Sequence, residues 1–249
     1  MSPLKIRYIH FALTMLAASF SAGAALAGGA PCASKTFEEQ RYTVCIADPA
    51  ESDFRLFLKR PDGETYGTLE AIPGDGLLFA TNAGMFTPEY TAAGLYVENG
   101  IERKALNTRK SGYGNFHLQP NGVFWVQDGH AAVTPTGEYA RLKPSADIAT
   151  QSGPMLVIDG AINPKFDDNG PSRNIRNGIG VMTDGRVAVA ISEEGVSFGA
   201  FARLFRDELV CPNALYFDGS VSRLLVTGEA RDSFGPPLGP ILGVYDKQK

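Results

Sequence analysis

Cysteine, histidine and tryptophan are scarce in this chain: three, three and one among 249 residues. Beyond His10, near the N-terminus, only His117 and His130 remain, and neither falls in H-E-x-x-H. No C-x-x-C occurs either, so a zinc site of familiar spacing is excluded. Asp167-Asp168-Asn169-Gly170 is rich in oxygen but lacks the alternating ligands and distal glutamate of an EF-hand, and it reads as a solvated turn. Neither a P-loop nor a dinucleotide fingerprint is present, and nothing in the sequence implies a cofactor or a metal. Positive charge is also short. The 23 Lys and Arg are outnumbered by 27 Asp and Glu, no basic stripe forms, and nucleic acid is not an expected partner.

Long apolar runs are missing except at the start. Lys5 and Arg7 precede an apolar stretch from Phe11 to Phe20, and Ala25-Leu26-Ala27 offers small residues for cleavage. Residues 1–27 therefore read as a signal peptide rather than a retained anchor. The expected mature protein is exported, periplasmic or secreted, with no membrane span after cleavage. Cleavage removes two cations and no acid, so the formal charge moves from −4 to −6. Export permits disulfides. Cys32 and Cys45 are the favoured pair, with Cys211 left as a buried thiol; other pairings remain open.

What the chain does contain is many short strands. Arg41–Asp48, Phe54–Lys59, Leu77–Thr81, Gly94–Glu98, Phe116–Gln119 and Val123–Gln127 alternate or run apolar between turn residues. So do Met155–Ile158, Gly178–Thr183, Val187–Ser192, Ala214–Phe217, Arg223–Thr227 and Ile241–Tyr245. Hairpin punctuation recurs at Asn99-Gly100, Asp128-Gly129, Asp159-Gly160 and Asp184-Gly185. Only Phe198–Leu209 has helical periodicity, with a shorter helical turn expected around Ala146–Thr150. The expected fold is α+β: one β-rich domain over residues 28–249, built on a mixed sheet with a few helices.

One motif is a decoy. Gly195-Val196-Ser197-Phe198-Gly199 fits G-x-S-x-G, but the triad histidine of a hydrolase of that type follows its serine, and here the last histidine is His130. Ser197 is better read as the N-cap of the helix beginning at Phe198.

A second pattern recurs. Strand Leu77–Thr81 runs into Asn82-Ala83-Gly84, and strand Ala214–Phe217 into Asp218-Gly219-Ser220. Ser152-Gly153-Pro154 precedes Met155–Ile158, and Arg176-Asn177-Gly178 precedes Ile179-Gly180-Val181. An amide, a carboxylate, a hydroxyl and a guanidinium thus stand at strand ends beside glycines, where a ligand could approach the backbone. Asp-Gly and Asn-Gly are also ordinary turn residues, but four such ends together point to a shared site.

With Gly94-Leu95-Tyr96-Val97-Glu98-Asn99-Gly100 and Ala214-Leu215-Tyr216-Phe217-Asp218-Gly219, these segments resemble, in order, the phosphodiester glycosidase family. The likeness runs from about residue 41 to 245 and is nearest to short exported bacterial members. Many members carry Asp-Gly-Gly-Gly-Ser where this chain has Asp218-Gly219-Ser220-Val221-Ser222, which keeps the Asp, the first Gly and the final Ser.

The resemblance implies hydrolysis of the bond between a sugar's anomeric carbon and a phosphodiester oxygen, in a small-molecule or glycan substrate. Asp218, Asn82 and Arg176 are the expected catalytic residues. Asp218 would orient water or stabilise an oxocarbenium-like centre, and Arg176 would hold the phosphate as a bidentate fork. Gly84, Glu98, Ser152, Gly153, Gly219 and Ser222 are the expected substrate-binding residues. A second carboxylate is open among Glu98, Asp159, Glu193 and Glu194. The alternatives are a periplasmic binder that holds a phosphorylated glycan without cleaving it, and a metal-assisted phosphodiesterase that cleaves the P–O bond.

Overall fold

The computed structural model describes residues 31–112, 114–229 and 235–247; the leader expected over residues 1–27 lies outside them. In chain order the strands are β1 Cys32–Phe37, β2 Gln40–Ala47, β3 Ser52–Phe57, β4 Leu77–Asn82, β5 Tyr96–Glu98, β6 Ile101–Lys104, β7 Gly122–Gln127 and β8 His130–Pro135. After helix α1, Thr136–Leu142, come β9 Ile148–Ser152, β10 Met155–Ile158, β11 Ala161–Ile162, β12 Asn177–Val181 and β13 Val187–Ser192. Helix α2, Phe198–Arg203, is followed by β14 Asn213–Asp218, β15 Leu224–Val226 and β16 Ile241–Asp246.

The strands form three sheets, ordered β1-β2-β13-β12-β14-β10-β11, β15-β4-β16-β3 and β6-β5-β9-β7-β8. The β-rich reading holds, but the expected mixed sheet does not. Every ladder among the described strands is antiparallel. Five of the ladders, β1–β2, β5–β6, β7–β8, β10–β11 and β12–β13, are hairpins whose short connections require it, because a parallel pair needs a crossover of a dozen or more residues. Three of the hairpins turn on Asn99-Gly100, Asp128-Gly129 and Asp159-Gly160, where both residues take positive φ, as the tight primed turn requires.

The largest sheet is covered on both faces, which explains why β13, Val-Ala-Val-Ala-Ile-Ser, is buried throughout. Its residues divide with period two. Val187, Val189 and Ile191 join Phe79, Phe124 and Leu242 between the sheets. Ala188 and Ala190 face Phe201, Leu204 and Phe205 of the α2 segment. That segment lies close because β12 offers glycine there: a Cβ on Gly180 would press within 2.9 Å of Phe205 and 2.8 Å of the Cys211 sulfur. Ser197 caps α2 as expected, its Oγ accepting from the Ala200 N–H at 3.1 Å.

Two local expectations fail. Ala146–Thr150 leads into β9 rather than a helical turn. This strand lies between β5 and β7 and is buried at every position, so its apolar and polar residues show no alternation. Phe116 sits in a short 3₁₀ turn, Asn115–His117, instead of a strand. The Cys32–Cys45 disulfide is formed across the β1–β2 register, and Cys211 is a buried free thiol whose pKa burial pushes up to about 12.

Candidate active site

Strands β12 and β14 are neighbours, and their register sets Asn177 opposite Asp218. Asp218 ends β14 at 9% exposure. Its Oδ1 accepts the backbone N–H of Ser220 and, at 2.7 Å, that of Val221, so the carboxylate shapes the turn that follows the strand. Oδ2 has no partner among the described residues. Asp218, Ser220 and Val221 line a cavity of about 440 Å3 together with Phe86, Thr87 and His117. The Phe86 ring stacks on Tyr90 at 5.5 Å, which stiffens an apolar part of that lining. An apolar lining with a few convergent polar groups is the usual composition of a small-molecule site.

His117 is a residue that the sequence reading weighed only as a metal ligand. It closes the 3₁₀ turn, packed edge-on to Phe116 at 5.1 Å between ring centroids. The space beside it is filled by the Gly112 backbone, where any Cβ would collide with the imidazole. Its Nδ1 is buried and has no hydrogen-bond partner among the described residues. Asp218 and His117 are the ionisable side chains on this cavity wall. A lone loop histidine carries no periodic signal, so only its place in the fold marks it out. Among the described residues no group of three or more His, Cys, Asp or Glu side chains is placed to hold a metal ion.

Arg176 was expected to be an open phosphate fork, and its surroundings do not match that role. It is 0% exposed. Nε donates to the Val196 carbonyl at 2.9 Å, and Nη1 to the Tyr216 hydroxyl at 3.1 Å. Nη2 donates to the Ser172 carbonyl at 2.9 Å and to its Oγ at 3.2 Å. The guanidinium carbon lies 3.7 Å from the centroid of the Phe198 ring. Burial holds Arg176 below the ordinary guanidinium value, an effect the neighbouring Tyr216 opposes. Burial also pushes the Tyr216 phenol well up, so it remains a neutral hydroxyl. The Asn115 side chain hydrogen-bonds that same hydroxyl, linking the Arg176 cluster to the turn that carries His117.

Asn82 is equally enclosed, at 1% exposure. Its Oδ1 accepts from the Arg223 N–H at 2.8 Å and from Asn177 Nδ2 at 3.0 Å. Asn177 Nδ2 also reaches the Asn82 carbonyl at 2.9 Å and Thr81 Oγ1 at 2.8 Å. Because β4 and β12 belong to different sheets, this amide pair clamps two sheets together behind the cavity.

The glycines have a similar use. Gly84, at φ 126°, sits where a Cβ would come within 3.1 Å of Thr150 Oγ1. A Cβ on Gly219 would collide with the Tyr216 hydroxyl and lie 3.4 Å from Arg176 Nη1. Gly153 lies against Asn121 and the Phe116 carbonyl, and Ser152 is fully buried, its Oγ 3.4 Å from the Phe217 carbonyl. The glycines let chain segments approach one another closely.

The remaining expected residues are dispersed. Ser222 donates to the carbonyls of Ile175 and Asp218, both at 2.9 Å, and lines a separate cleft of about 170 Å3 with Glu193. Glu98 lines another cavity, beside Arg103. Glu194 faces the Arg41 N–H at 3.3 Å, and Asp159 forms the β10–β11 turn. None of the four candidate second carboxylates lies on the Asp218 cavity wall.

The sequence model of the phosphodiester glycosidase family matches residues 75–245. The chain belongs to this family. Among its relatives is the uncharacterized protein YigE of Escherichia coli K12, 33% identical over 235 residues, which span 92% of this chain and 89% of that one. Of the solved structures, the zebrafish N-acetylglucosamine-1-phosphodiester alpha-N-acetylglucosaminidase catalytic domain, auto-inhibited by its pro-peptide, shares the fold. It has a TM-score of 0.59 at 12% identity, over 87% of this chain and 82% of that one. A hypothetical protein from Synechocystis has a TM-score of 0.56 at 15% identity, over 87% of this chain and 61% of its own. The matched residues of this family member run from just before β4 to the end of β16, so they include Asp218, His117 and the Asn82–Asn177 clamp.

Proposed function

We propose that this family member is an exported hydrolase that cleaves the glycosidic bond of a sugar-1-phosphodiester, with residues 1–27 as the leader and 28–249 as the working domain. The observation that carries the reading is that Asp218 and His117 line one cavity together with the Phe86 ring. Water adds to the anomeric carbon as the bond from that carbon to the phosphate oxygen breaks. The bonding pair leaves with the phosphate, giving free sugar and a phosphomonoester. Phosphate is a good leaving group, so one carboxylate to orient water or stabilise the oxocarbenium-like centre is enough, and His117 is placed to move the proton. Arg176 serves from behind, as a fixed cation beneath the turn that begins at Gly219. An envelope or exopolysaccharide role follows from export and substrate class.

The test is a panel of sugar-1-phosphodiesters with wild type, Asp218→Asn and His117→Gln, run in ¹⁸O-water. Label in the sugar, with turnover lost in Asp218→Asn, supports the reading. Label in the phosphate would point to P–O cleavage. The second reading, a binder that leaves its ligand intact, is favoured by the use of Asp218 Oδ1 as a turn acceptor. Ligand recovered intact after prolonged incubation with folded wild type would decide for the binder.

A further inference from the structure

A second cavity, of about 430 Å3, lies between the loop after β3 and the β5–β6 hairpin, and it shares no wall residue with the Asp218 cavity. Its volume is that of a small-molecule site. Lys59, Arg60, Arg103, Glu98, Tyr66 and Tyr96 line it. Tyr96 is 1% exposed, and its hydroxyl is buried without a hydrogen-bond partner. Tyr66, Glu98 and Arg103, which line the cavity with Tyr96, all lie near enough to act electrostatically on that hydroxyl. An unpaired buried hydroxyl is uncommon in native folds.

Of the cations beside it, Arg60 makes one long contact, from Nη2 to the Tyr66 carbonyl at 3.5 Å. The ion pairs formed among the described residues involve Lys35, Arg55, Arg186, Arg203 and Arg206, and none uses Lys59, Arg60 or Arg103. Three cations thus surround one carboxylate, with the Arg60 guanidinium 5.6 Å from the Tyr66 ring centroid. A bare inorganic anion would suit the cations and could accept from Tyr96, but it would be repelled by Glu98. A neutral sugar would suit Glu98, Tyr96 and the Tyr66 ring but leave the cations idle. A ligand carrying both an acidic group and hydroxyl groups uses the whole set.

We propose that this cavity binds an anionic sugar unit, its acidic group held by Arg60, Arg103 and Lys59 and its hydroxyls by Tyr96 and Glu98. Such a site lets the protein hold an acidic glycan away from the Asp218 cavity, and it stands whether or not that cavity catalyses hydrolysis.

Calorimetric titration of the purified protein tests this with four probes: glucuronate, glucose 6-phosphate, glucose and inorganic phosphate. The expected result is binding of one or both anionic sugars, with glucose and inorganic phosphate at least about tenfold weaker. The carboxylate and phosphate arms identify which acid the site prefers. The exposed pair Arg60→Ala/Arg103→Ala should weaken binding by about tenfold or more, and Asp218→Asn should leave it unchanged. Tyr96→Phe should weaken binding several-fold while the free protein keeps or gains thermal stability, a split that a purely structural tyrosine would not produce. Equal binding of inorganic phosphate, or no heat at about 10 mM of either sugar acid, overturns the proposal. So does an affinity that follows Asp218→Asn instead of the arginine pair.

Discussion

Arg176 and Asp218 flank the same junction of β12 and β14, yet one is sealed and the other borders open space. In sequence both are polar residues at a strand end near glycine. In the fold, four donor contacts and the Phe198 ring face absorb the guanidinium, whereas the carboxylate spends one oxygen on a turn and keeps the other free. The difference shows that a strand end makes a site only where nothing packs on it. Helix α2 packs over Arg176, and the loops around Phe86 and His117 stand back from Asp218.

The sharpest way to break this contrast is Asp218→Asn. It should lower turnover by roughly 10²–10⁴-fold with folding intact, as measured by initial rates beside a melting curve. Equal activity would remove Asp218 from the chemistry. Arg176→Lys comes next. It should cost about 3 kcal/mol in urea unfolding, because a lysine cannot satisfy the Tyr216 hydroxyl, two carbonyls and Ser172 together. A normal stability with a raised KM would restore Arg176 as a ligand-facing residue. Asn82→Ala should cost about 2 kcal/mol by the same assay, since it strands the Arg223 N–H and the Asn177 Oδ1.

The smallest effect concerns Glu98. Burial raises its pKa above the ordinary 4.5, with Arg103 opposing. A carboxyl raised in the folded state binds more protons folded than unfolded, so stability falls as pH rises from about 4.5 through the raised value. Glu98→Gln avoids that loss. Its melting temperature should exceed that of wild type at pH 7, and the gap should close below pH 4.5. A gap that persists at low pH would mean a packing effect instead.

The strands were largely legible because alternation and Asn-Gly or Asp-Gly turns are local signals; β2, β4, β10, β13, β14 and β16 lie close to their expected limits. Strand β9 was not, because burial at all five positions erases the alternation that would have revealed it. Of the three expected catalytic residues, Asp218 lines the candidate cavity. Asn82, Arg176, Gly84, Ser152, Gly153 and Gly219 are near neighbours of the cavity that turn their chemistry inward. Glu98 and Ser222 belong to other openings.

The sequence by itself determined a β-rich fold, a Cys32–Cys45 pair, a capped helix at Ser197 and membership of the phosphodiester glycosidase family. These rest on local propensity and ordered motifs, which neighbouring residues are enough to specify. Only the tertiary structure decided which polar strand ends are filled by other chain segments and which stay open. That choice is made by residues distant in sequence: Phe198 and Tyr216 for Arg176, Asn177 for Asn82, and His117 and Phe86 for Asp218. Burial and hydrogen-bond satisfaction are properties of what packs nearby, and no run of adjacent residues carries them.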